Sequence, residues 1–124
     1  KAKFGNTIVF GNNIQEIELG NNMENDFNYL FENCIIQVAD TFNTSNQTNY
    51  KNIWKGPEYD PLFIDPYEEY NYQLDTLSPA KDIGKLQYGE QFPLDILGKD
   101  RTEDDGPDLG AYERIEEENE NVSI

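Results

Sequence analysis

The strongest constraint on the fold is a correspondence between two short segments that begin 27 residues apart. Residues 4–9 (FGNTIV) and 31–36 (FENCII) share Phe, Asn and Ile at equal positions. A fixed period of this length is typical of solenoids, in which each repeat buries its apolar face against the next repeat. β-Branched and aromatic residues bounded by Asn and Gly indicate that the repeated unit is a strand. The correspondence predicts a parallel β-helix, and the alternative is two unrelated strands with a chance similarity.

The first 38 residues alternate between strand-forming and turn-forming stretches. Asn and Gly tolerate the left-handed backbone conformations that sharp corners need, so they mark the expected turns. The pattern predicts strands at 7–10, 15–19 and 27–38, with turns at 11–13 and 20–22.

The middle and the second half of the chain have a different composition. Residues 40–56 are polar and rich in Asn, which predicts a long loop that Ile53 and Trp54 anchor in the core. Residues 57–113 contain all six prolines and short apolar clusters. Because proline cannot donate a hydrogen bond to a strand ladder, this part is expected to be irregular with short strands.

The asparagines of the repeat have an expected structural role. Asn6 and Asn33 occupy equal positions in the two segments. Their side-chain amides could bond to each other as a ladder and satisfy backbone groups at a corner. We favour this role over a role in ligand binding.

The charge of the chain excludes several classes of partner. There are 25 acidic and 9 basic residues, which gives a formal net charge of -16. Such a charge repels phosphate backbones and anionic lipid headgroups, so we expect neither nucleic-acid binding nor direct membrane insertion. An acidic face could instead hold cations, or it could only keep the protein soluble.

The absence of histidine excludes further chemistry within this chain. Histidine is the commonest general base and the commonest transition-metal ligand, so zinc sites and Ser-His-Asp or Cys-His catalysis are not expected. The single cysteine, Cys34, lies in an apolar strand and is expected to pack as a small hydrophobic residue. The chain begins at Lys1 within what looks like a strand, so we expect it to be a piece of a longer protein.

Four motifs in the second half resemble a known pattern. They are residues 60–65 (DPLFID), 72–84 (YQLDTLSPAKDIG), 95–101 (DILGKDR) and 108–113 (DLGAYE). In this order they resemble the C-terminal closing segment of right-handed parallel β-helix proteins of the pectate-lyase-like superfamily, as found on bacterial cell surfaces. Lys81 departs from the pattern, which usually has an apolar residue there, and must therefore reach solvent or an acidic partner.

The resemblance implies an all-β fold and a domain organisation. It implies a right-handed parallel β-helix (solenoid) with about two partial coils in residues 1–56 and an irregular C-terminal cap in 57–113, together one domain. Residues 114–124 are then an acidic, solvated tail. A cap covers the apolar end of a solenoid, here with Leu62, Leu74, Leu77, Ile96 and Leu109 among others. The cap-motif residues are Asp60, Pro61, Phe63, Asp65, Ser78, Pro79, Asp82, Gly84, Asp95, Gly98, Arg101, Asp108, Gly110 and Glu113.

Several polar roles are expected within these motifs. Asp65, Asp82, Asp95 and Asp108 precede turns, where carboxylates accept local backbone N–H bonds. Arg101 could form a bidentate pair with an Asp of the cap. Asp100, Asp104 and Asp105 lie in an acidic turn that only superficially resembles a calcium loop, so an acidic turn is favoured over a calcium site and no other cofactor is expected.

The resemblance favours a non-catalytic function. Polysaccharide lyases of the superfamily use a calcium-binding carboxylate cluster and an Arg or Lys base on the coils, and none of those motifs matches here. We therefore expect a cell-surface, extracellular module that does not cleave its ligand. The alternatives are a fragment of a polysaccharide lyase or glycoside hydrolase whose active site lay in missing coils, and a self-associating structural module.

Aromatic and apolar residues indicate two kinds of partner. Trp54, Tyr59, Tyr67 and Tyr70, with Tyr50 and Tyr72 in the same aromatic set, could stack on the sugar rings of a polysaccharide, although core packing is the simpler role. An open first coil would expose an apolar end, so either a homodimer through this end or a marginally stable monomer is expected. That end is centred on Phe4, Ile8, Phe10 and Ile17.

Overall fold

A computed structural model describes residues 2–20, 28–55 and 57–116, which form two small sheets and two short helices. A four-stranded parallel sheet and a two-stranded antiparallel sheet make up the strand content. The elements in chain order are β1 (Ala2–Gly5), β2 (Ile8–Val9), β3 (Tyr29–Ile36), β4 (Tyr50–Lys55), a 3-10 turn (Pro57–Tyr59), β5 (Phe63–Asp65), β6 (Asn71–Leu74) and α1 (Leu86–Gln91).

Strand β3 organises the parallel sheet, because β1, β2 and β4 all pair with it. Phe4 lies opposite Phe31, and Ile8 lies opposite Ile35, so the 27-residue correspondence is confirmed as the register of this pairing. Parallel pairing in this register places residues at corresponding positions of the two segments side by side on neighbouring strands. The ring of Phe31 stacks on Phe4 at 4.7 Å and on Tyr50 of β4 at 5.9 Å between centroids.

The expected right-handed parallel β-helix is wrong. The described residues form one four-stranded and one two-stranded sheet, without a solenoid or closed sheet. The sequence correspondence reflects only the alignment of β1 and β2 with β3. Parallel strands need a long connection between them, but the connection need not form a repeated coil. Beyond β4, strands β5 and β6 pair with each other in antiparallel fashion instead of adding to the parallel sheet.

Two strand boundaries also differ from expectation. Residues 15–19 form no strand, although Glu16 N donates to Gln37 O at 2.8 Å. The predicted loop at 40–56 ends in β4, because Ile53 and Trp54 pair beside Cys34 and Ile35 of β3. The two side chains do anchor the segment, since each packs against one of the two core clusters.

Alternate residues of β3 supply two core clusters on opposite sides of the sheet. Cys34 and Ile36 lie in the first cluster, and Ile35 lies in the second. Cys34 is fully buried, as expected for a small hydrophobic residue, and burial raises the pKa of its thiol to about 11. The clusters are Phe31, Cys34, Ile36, Val38 and Tyr50, and Ile35, Leu74, Ala80 and Leu109.

Segment 57–116 packs on the second cluster through only some of the expected apolar residues. Leu74 and Leu109 are buried there as expected. Leu62, Leu77 and Ile96 are exposed, so their expected role as apolar cover is wrong. The turns that carry these three side chains face solvent, and polar contacts attach the segment to the sheet in addition to the apolar packing.

Asparagines in left-handed backbone conformations provide one set of these polar contacts. Asn6, Asn33 and Asn52 have φ values of 49°, 54° and 54°, a region that Asn enters more readily than most residues. Asn52 Nδ2 donates to Asn33 Oδ1 at 3.2 Å, and Asn33 Nδ2 donates to Ile83 O at 3.0 Å. The Asn6 amide instead bonds to Lys85, so the direct Asn6–Asn33 bond of the expected ladder is replaced.

Helix α1 is attached to the sheet through a buried carboxylate. Tyr88 Oη donates to Glu32 Oε1 at 2.7 Å, and Lys85 Nζ lies 2.9 Å from Glu32 Oε2. Burial opposes ionisation of Glu32, but the bonds from Tyr88 and Lys85 lower its pKa on balance. No helix within the described ranges has the length and apolar character needed to cross a membrane.

Candidate functional site

An exposed cleft of about 250 Å³ lies between the β5–β6 hairpin and the residues that follow β2. We call it the tyrosine cleft, because three tyrosines form one wall. Tyr67, Tyr70 and Tyr72 are 69%, 71% and 44% exposed. The lining residues are Phe10, Gly11, Asn12, Phe63, Pro66, Tyr67, Tyr70 and Tyr72.

Strand pairing and ring contacts of the β5–β6 hairpin fix the base of the tyrosine cleft. Phe63 pairs with Leu74, whose buried side chain ties the hairpin to the core. The Phe63 ring makes edge contacts with Tyr72 at 5.3 Å and with Phe10 at 6.4 Å between centroids. The base of the cleft is thereby fixed, while the rings of Tyr67 and Tyr70 remain accessible.

Tyr70 has a strained backbone. Its φ is 55°, in the left-handed region that aromatic residues rarely enter. Such a conformation costs on the order of 1–3 kcal/mol and is found most often at functional sites. The surrounding hairpin therefore maintains an exposed tyrosine in an unfavourable conformation.

The structure separates the four aromatic residues expected to stack on sugars. Tyr67 and Tyr70 lie in the tyrosine cleft. Trp54 and Tyr59 are half-buried against the second core cluster and do not line the tyrosine cleft. Phe10 completes the cleft from the other end of the chain, and no local sequence signal could have linked it to the hairpin.

A second polar feature is an acidic cluster formed by Asp82, Asp104, Asp108 and Glu113. One carboxylate oxygen from each residue lies within 4.8 Å of the others. Asp82 and Asp104 are accessible to solvent, whereas Asp108 and Glu113 are buried. The cluster thus extends from the surface into the interior of segment 57–116.

Glu113 is one of the two buried members of the acidic cluster, and its side chain is fully buried. Its Oε1 accepts from Asp108 N at 2.9 Å and lies 3.7 Å from Arg101 Nη1. Its Oε2 is buried and has no hydrogen-bond partner among the described residues. Burial, reinforced by the negative charges of Asp108 and Asp104, raises the pKa of Glu113 to about 8.

Asp108 is buried beside Glu113 but is better satisfied. Its two oxygens accept from Asp82 N at 2.9 Å and from Arg114 N at 2.6 Å. Burial still raises its pKa to about 6, with contributions from the charges of Asp82 and Asp104. The pKa of Asp82 is also raised, by burial and then by the charge of Asp104.

Glycines allow the loops that carry the acidic cluster to meet. A Cβ on Gly106 would lie 3.0 Å from Asp82 O, so this glycine permits the turn after Asp104 to approach residue 82. Gly110 has a φ of 93°, and its N–H donates to Asn6 O at 2.9 Å. The turn after Asp104 thus approaches residue 82, and Gly110 bonds the same loop to Asn6, which lies between β1 and β2.

The remaining cap-motif residues act mainly in turns, as expected for carboxylates that accept local N–H bonds. Asp95 is the strongest example, because it accepts from Leu97 N, Lys99 N and Glu113 N at 2.7–2.8 Å. Side chains of three other motif residues accept backbone bonds in the same way: Asp60 from Leu62 N, Asp65 from Glu68 N and Ser78 from Ala80 N. Pro61 is fully buried and Pro79 is half-buried. Gly98 has a φ of 83°, and a Cβ on Gly84 would meet Pro107 O at 2.7 Å.

The expected ionic partners in this segment are changed in part. Arg101 pairs with Glu113 instead of an Asp, and it also donates to Ala111 O at 3.4 Å. Lys81 reaches an acidic partner as expected, because its Nζ lies 2.7 Å from Glu116 Oε1.

Only one of the three expected calcium ligands belongs to the acidic cluster. Asp104 is a member. Asp100 accepts bonds from the Thr102 N–H and hydroxyl, and Asp105 is not part of the cluster. Residues 82, 108 and 113 lie in other motifs. The sequence marked Asp82 and Asp108 only as acids that precede turns, and Glu113 only as a motif residue.

The beginning of the expected solvated tail is ordered by contacts. Arg114 Nη1 donates to Leu74 O at 3.0 Å, and Arg114 Nε lies 2.7 Å from Glu116 Oε1. The expectation is therefore wrong for residues 114–116. Residues 117–124 lie outside the described residues.

An apolar groove of about 470 Å³ lies beside β1 and β3. Phe4 and Ile17, two of the four residues expected at an open end, line it, whereas Ile8 packs against the second core cluster and Phe10 lines the tyrosine cleft. The expected homodimer through this end stays a prediction.

Comparisons of the chain with protein-family models, with curated proteins and with solved structures find no match. The resemblance to the pectate-lyase-like superfamily therefore stays a prediction from the four motifs, and the function must be argued from the two sites described above.

Proposed function

We propose that the chain is a non-catalytic carbohydrate-binding module that holds a neutral polysaccharide in the tyrosine cleft. The observation that carries this proposal is the wall of exposed tyrosines, Tyr67, Tyr70 and Tyr72. Tyrosine offers an apolar ring for stacking and a hydroxyl for hydrogen bonding, which matches the two faces of a sugar ring.

The backbone of Tyr70 supports a binding role. Glycine would relieve its left-handed strain, yet a large aromatic residue stands there and is 71% exposed. Exposure gains nothing for the stability of the fold. A ligand that covers the ring would account for both its strain and its exposure.

The composition of the cleft favours binding without cleavage. Its described lining consists of aromatic residues, Pro66, Gly11 and Asn12, and it contains no carboxylate that could serve as a general acid. Glycoside hydrolysis requires a pair of carboxyl groups around the scissile bond. The cleft volume of about 250 Å³ suits one sugar ring of a chain whose remainder stays in solvent.

The charge of the chain selects among polysaccharides. A net charge of -16 repels uronic-acid polymers, so neutral glycans are the preferred class. A location outside the cell, which the motif resemblance implies, belongs to the same proposal because such polymers are found there.

Titration calorimetry with soluble xylan, mannan and β-glucan tests the proposal, with polygalacturonate as the charged counterpart. At least one neutral polymer should bind, and Tyr70→Ala and Tyr67→Ala should each raise its Kd about tenfold, which corresponds to roughly 1.4 kcal/mol. Phe92→Ala is the matched control, because Phe92 is 68% exposed and does not line the cleft.

Two outcomes would contradict this function. One is that none of the neutral polymers binds the intact chain. The other is self-association of the chain that Tyr70→Ala abolishes, which would assign the tyrosines to a protein contact.

A further inference from the structure

We propose that the acidic cluster of Asp82, Asp104, Asp108 and Glu113 is a binding site for a hard divalent cation, with Ca²⁺ as the preferred ion. The proposal is independent of carbohydrate binding, because the four residues do not line the tyrosine cleft. The cluster also differs from the acidic turn of Asp100, Asp104 and Asp105 that the sequence indicated, because the two sets share only Asp104.

The donor set defines the class of cation. Four carboxylates offer only oxygen ligands, which suit Ca²⁺, Mg²⁺ and Mn²⁺ but not the softer metals that thiolates or imidazoles hold. Ca²⁺ binds oxygens at about 2.3–2.6 Å, so ligands on opposite sides of the ion are about 4.6–5.2 Å apart. The four oxygens lie within 4.8 Å of one another, which accommodates an ion of this size.

The free oxygen of Glu113 is an independent indication of a ligand. The Glu113 side chain is fully buried, and Oε2 has no hydrogen-bond partner in the described structure. Leaving a polar carboxyl oxygen buried without a partner is costly, and most buried carboxyl groups are hydrogen-bonded, paired or bound to metal. A cation at the cluster would satisfy this oxygen directly.

The local charges leave room for a cation. Four carboxyl groups converge, and Arg101 Nη1 lies 3.7 Å from Glu113 Oε1. Lys81 is already paired with Glu116. A divalent ion would therefore neutralise charge that the protein's own cations leave uncompensated.

The position of the acidic cluster between two loops gives the proposed ion a structural role. Asp82 lies in one loop, while Asp104, Asp108 and Glu113 lie in another, and the loops meet where Gly106 approaches residue 82. An ion bound by all four residues would cross-link the loops. Binding to the folded state alone stabilises that state in proportion to the logarithm of the free ion concentration.

Calorimetric titration of CaCl₂ into EDTA-treated, dialysed protein tests this site, together with thermal unfolding. We expect saturable binding at one site and a rise in Tm of about 10 °C when Ca²⁺ is present at about 100 times Kd. Asp104→Asn should raise Kd at least tenfold, because it removes one charged ligand at the accessible side of the cluster.

Asp105→Asn is the matched control, since it makes the same charge change one residue outside the cluster. It should leave Kd within twofold of the unaltered protein. Glu113→Gln should abolish the Ca²⁺-dependent rise in Tm, and its own thermal transition shows whether the variant is folded.

The proposal is overturned if Ca²⁺ produces neither heat nor a rise in Tm. It is equally overturned if Asp105→Asn weakens binding as much as Asp104→Asn, or if NaCl at equal ionic strength raises Tm to the same extent. The last two results would show diffuse attraction of cations to a chain of charge -16.

Discussion

Asn6 and Lys85 bond to each other twice, although 79 residues separate them. Lys85 N donates to Asn6 Oδ1 at 2.7 Å, and Asn6 Nδ2 donates to Lys85 O at 3.1 Å. One amide thus satisfies both backbone groups of a residue in another segment. This pair fastens segment 57–116 to the parallel sheet at the point where β1 gives way to β2.

Removal of the Asn6 amide should loosen this attachment. Asn6→Gly keeps a residue that tolerates the left-handed backbone but removes both bonds, so we expect a loss of about 1–3 kcal/mol in the free energy of unfolding. Urea denaturation measures the loss. Gln47→Ala, at an exposed position, is the control and should stay within about 0.5 kcal/mol. An equal effect of the two changes would contradict the role of the pair.

Stability in cation-free buffer should fall as pH rises from about 5 to about 8. The folded-state pKa values of Asp108 and Glu113 are about 6 and about 8, above their ordinary values of 3.8 and 4.5. The unfolded chain therefore releases these protons first, and stability that is present at low pH is lost as pH rises through the folded-state values. Asp82 acts in the same direction because its pKa is also raised, and the Arg101 guanidinium lies 3.7 Å from Glu113.

Urea denaturation at pH 5 and pH 8, each with EDTA, measures this dependence. We expect a decrease of at least about 1 kcal/mol between the two values. Glu113→Gln should reduce the decrease, because the amide does not titrate. A free energy of unfolding that is constant or increases over this range would show that the buried carboxyls are not protonated in the folded protein.

A side chain at Gly84 should be poorly tolerated. Its Cβ would lie 2.7 Å from Pro107 O and 2.9 Å from the Asn6 amide, so Gly84→Ala must displace a backbone segment and cost about 1–3 kcal/mol. Gly20→Ala is the control, because a Cβ there meets nothing within 4 Å. Thermal unfolding of both variants checks the prediction, and a neutral Gly84→Ala would contradict the close contact.

Tyr70→Gly should separate stability from binding. Glycine adopts a φ of 55° without strain, so this change should stabilise the fold by about 1 kcal/mol while it removes a ring from the tyrosine cleft. Tyr67→Gly relieves no left-handed strain and should not stabilise. Denaturation and polysaccharide titration of both variants measure the two effects. A loss of stability in Tyr70→Gly would show that its ring contributes to packing.

Features that depend on neighbouring residues were accessible from the sequence. The match between residues 4–9 and 31–36 determined the parallel register of β1 and β2 with β3, because identical side chains stack in rows. The Asn residues at the left-handed positions and the Asp residues in turns follow from local hydrogen bonding. Burial of Cys34 follows from its place in a strand with Leu30, Phe31, Ile35 and Ile36.

Tertiary structure alone decided how far the sheet extends and which side chains form sites. The repeat indicated a solenoid, but residues 57–116 attach through Asn6, Lys85 and Leu109 and add no parallel strand. The sequence placed Trp54 and Tyr70 in the same aromatic set. It could not show that the Trp54 ring is half-buried and the Tyr70 ring exposed. Glu113 approaches Asp82 only because two loops that are distant in sequence meet, and such a contact depends on the packing of the whole chain. Turns depend on residues adjacent in sequence, and strand register depends on the side chains of the two paired strands.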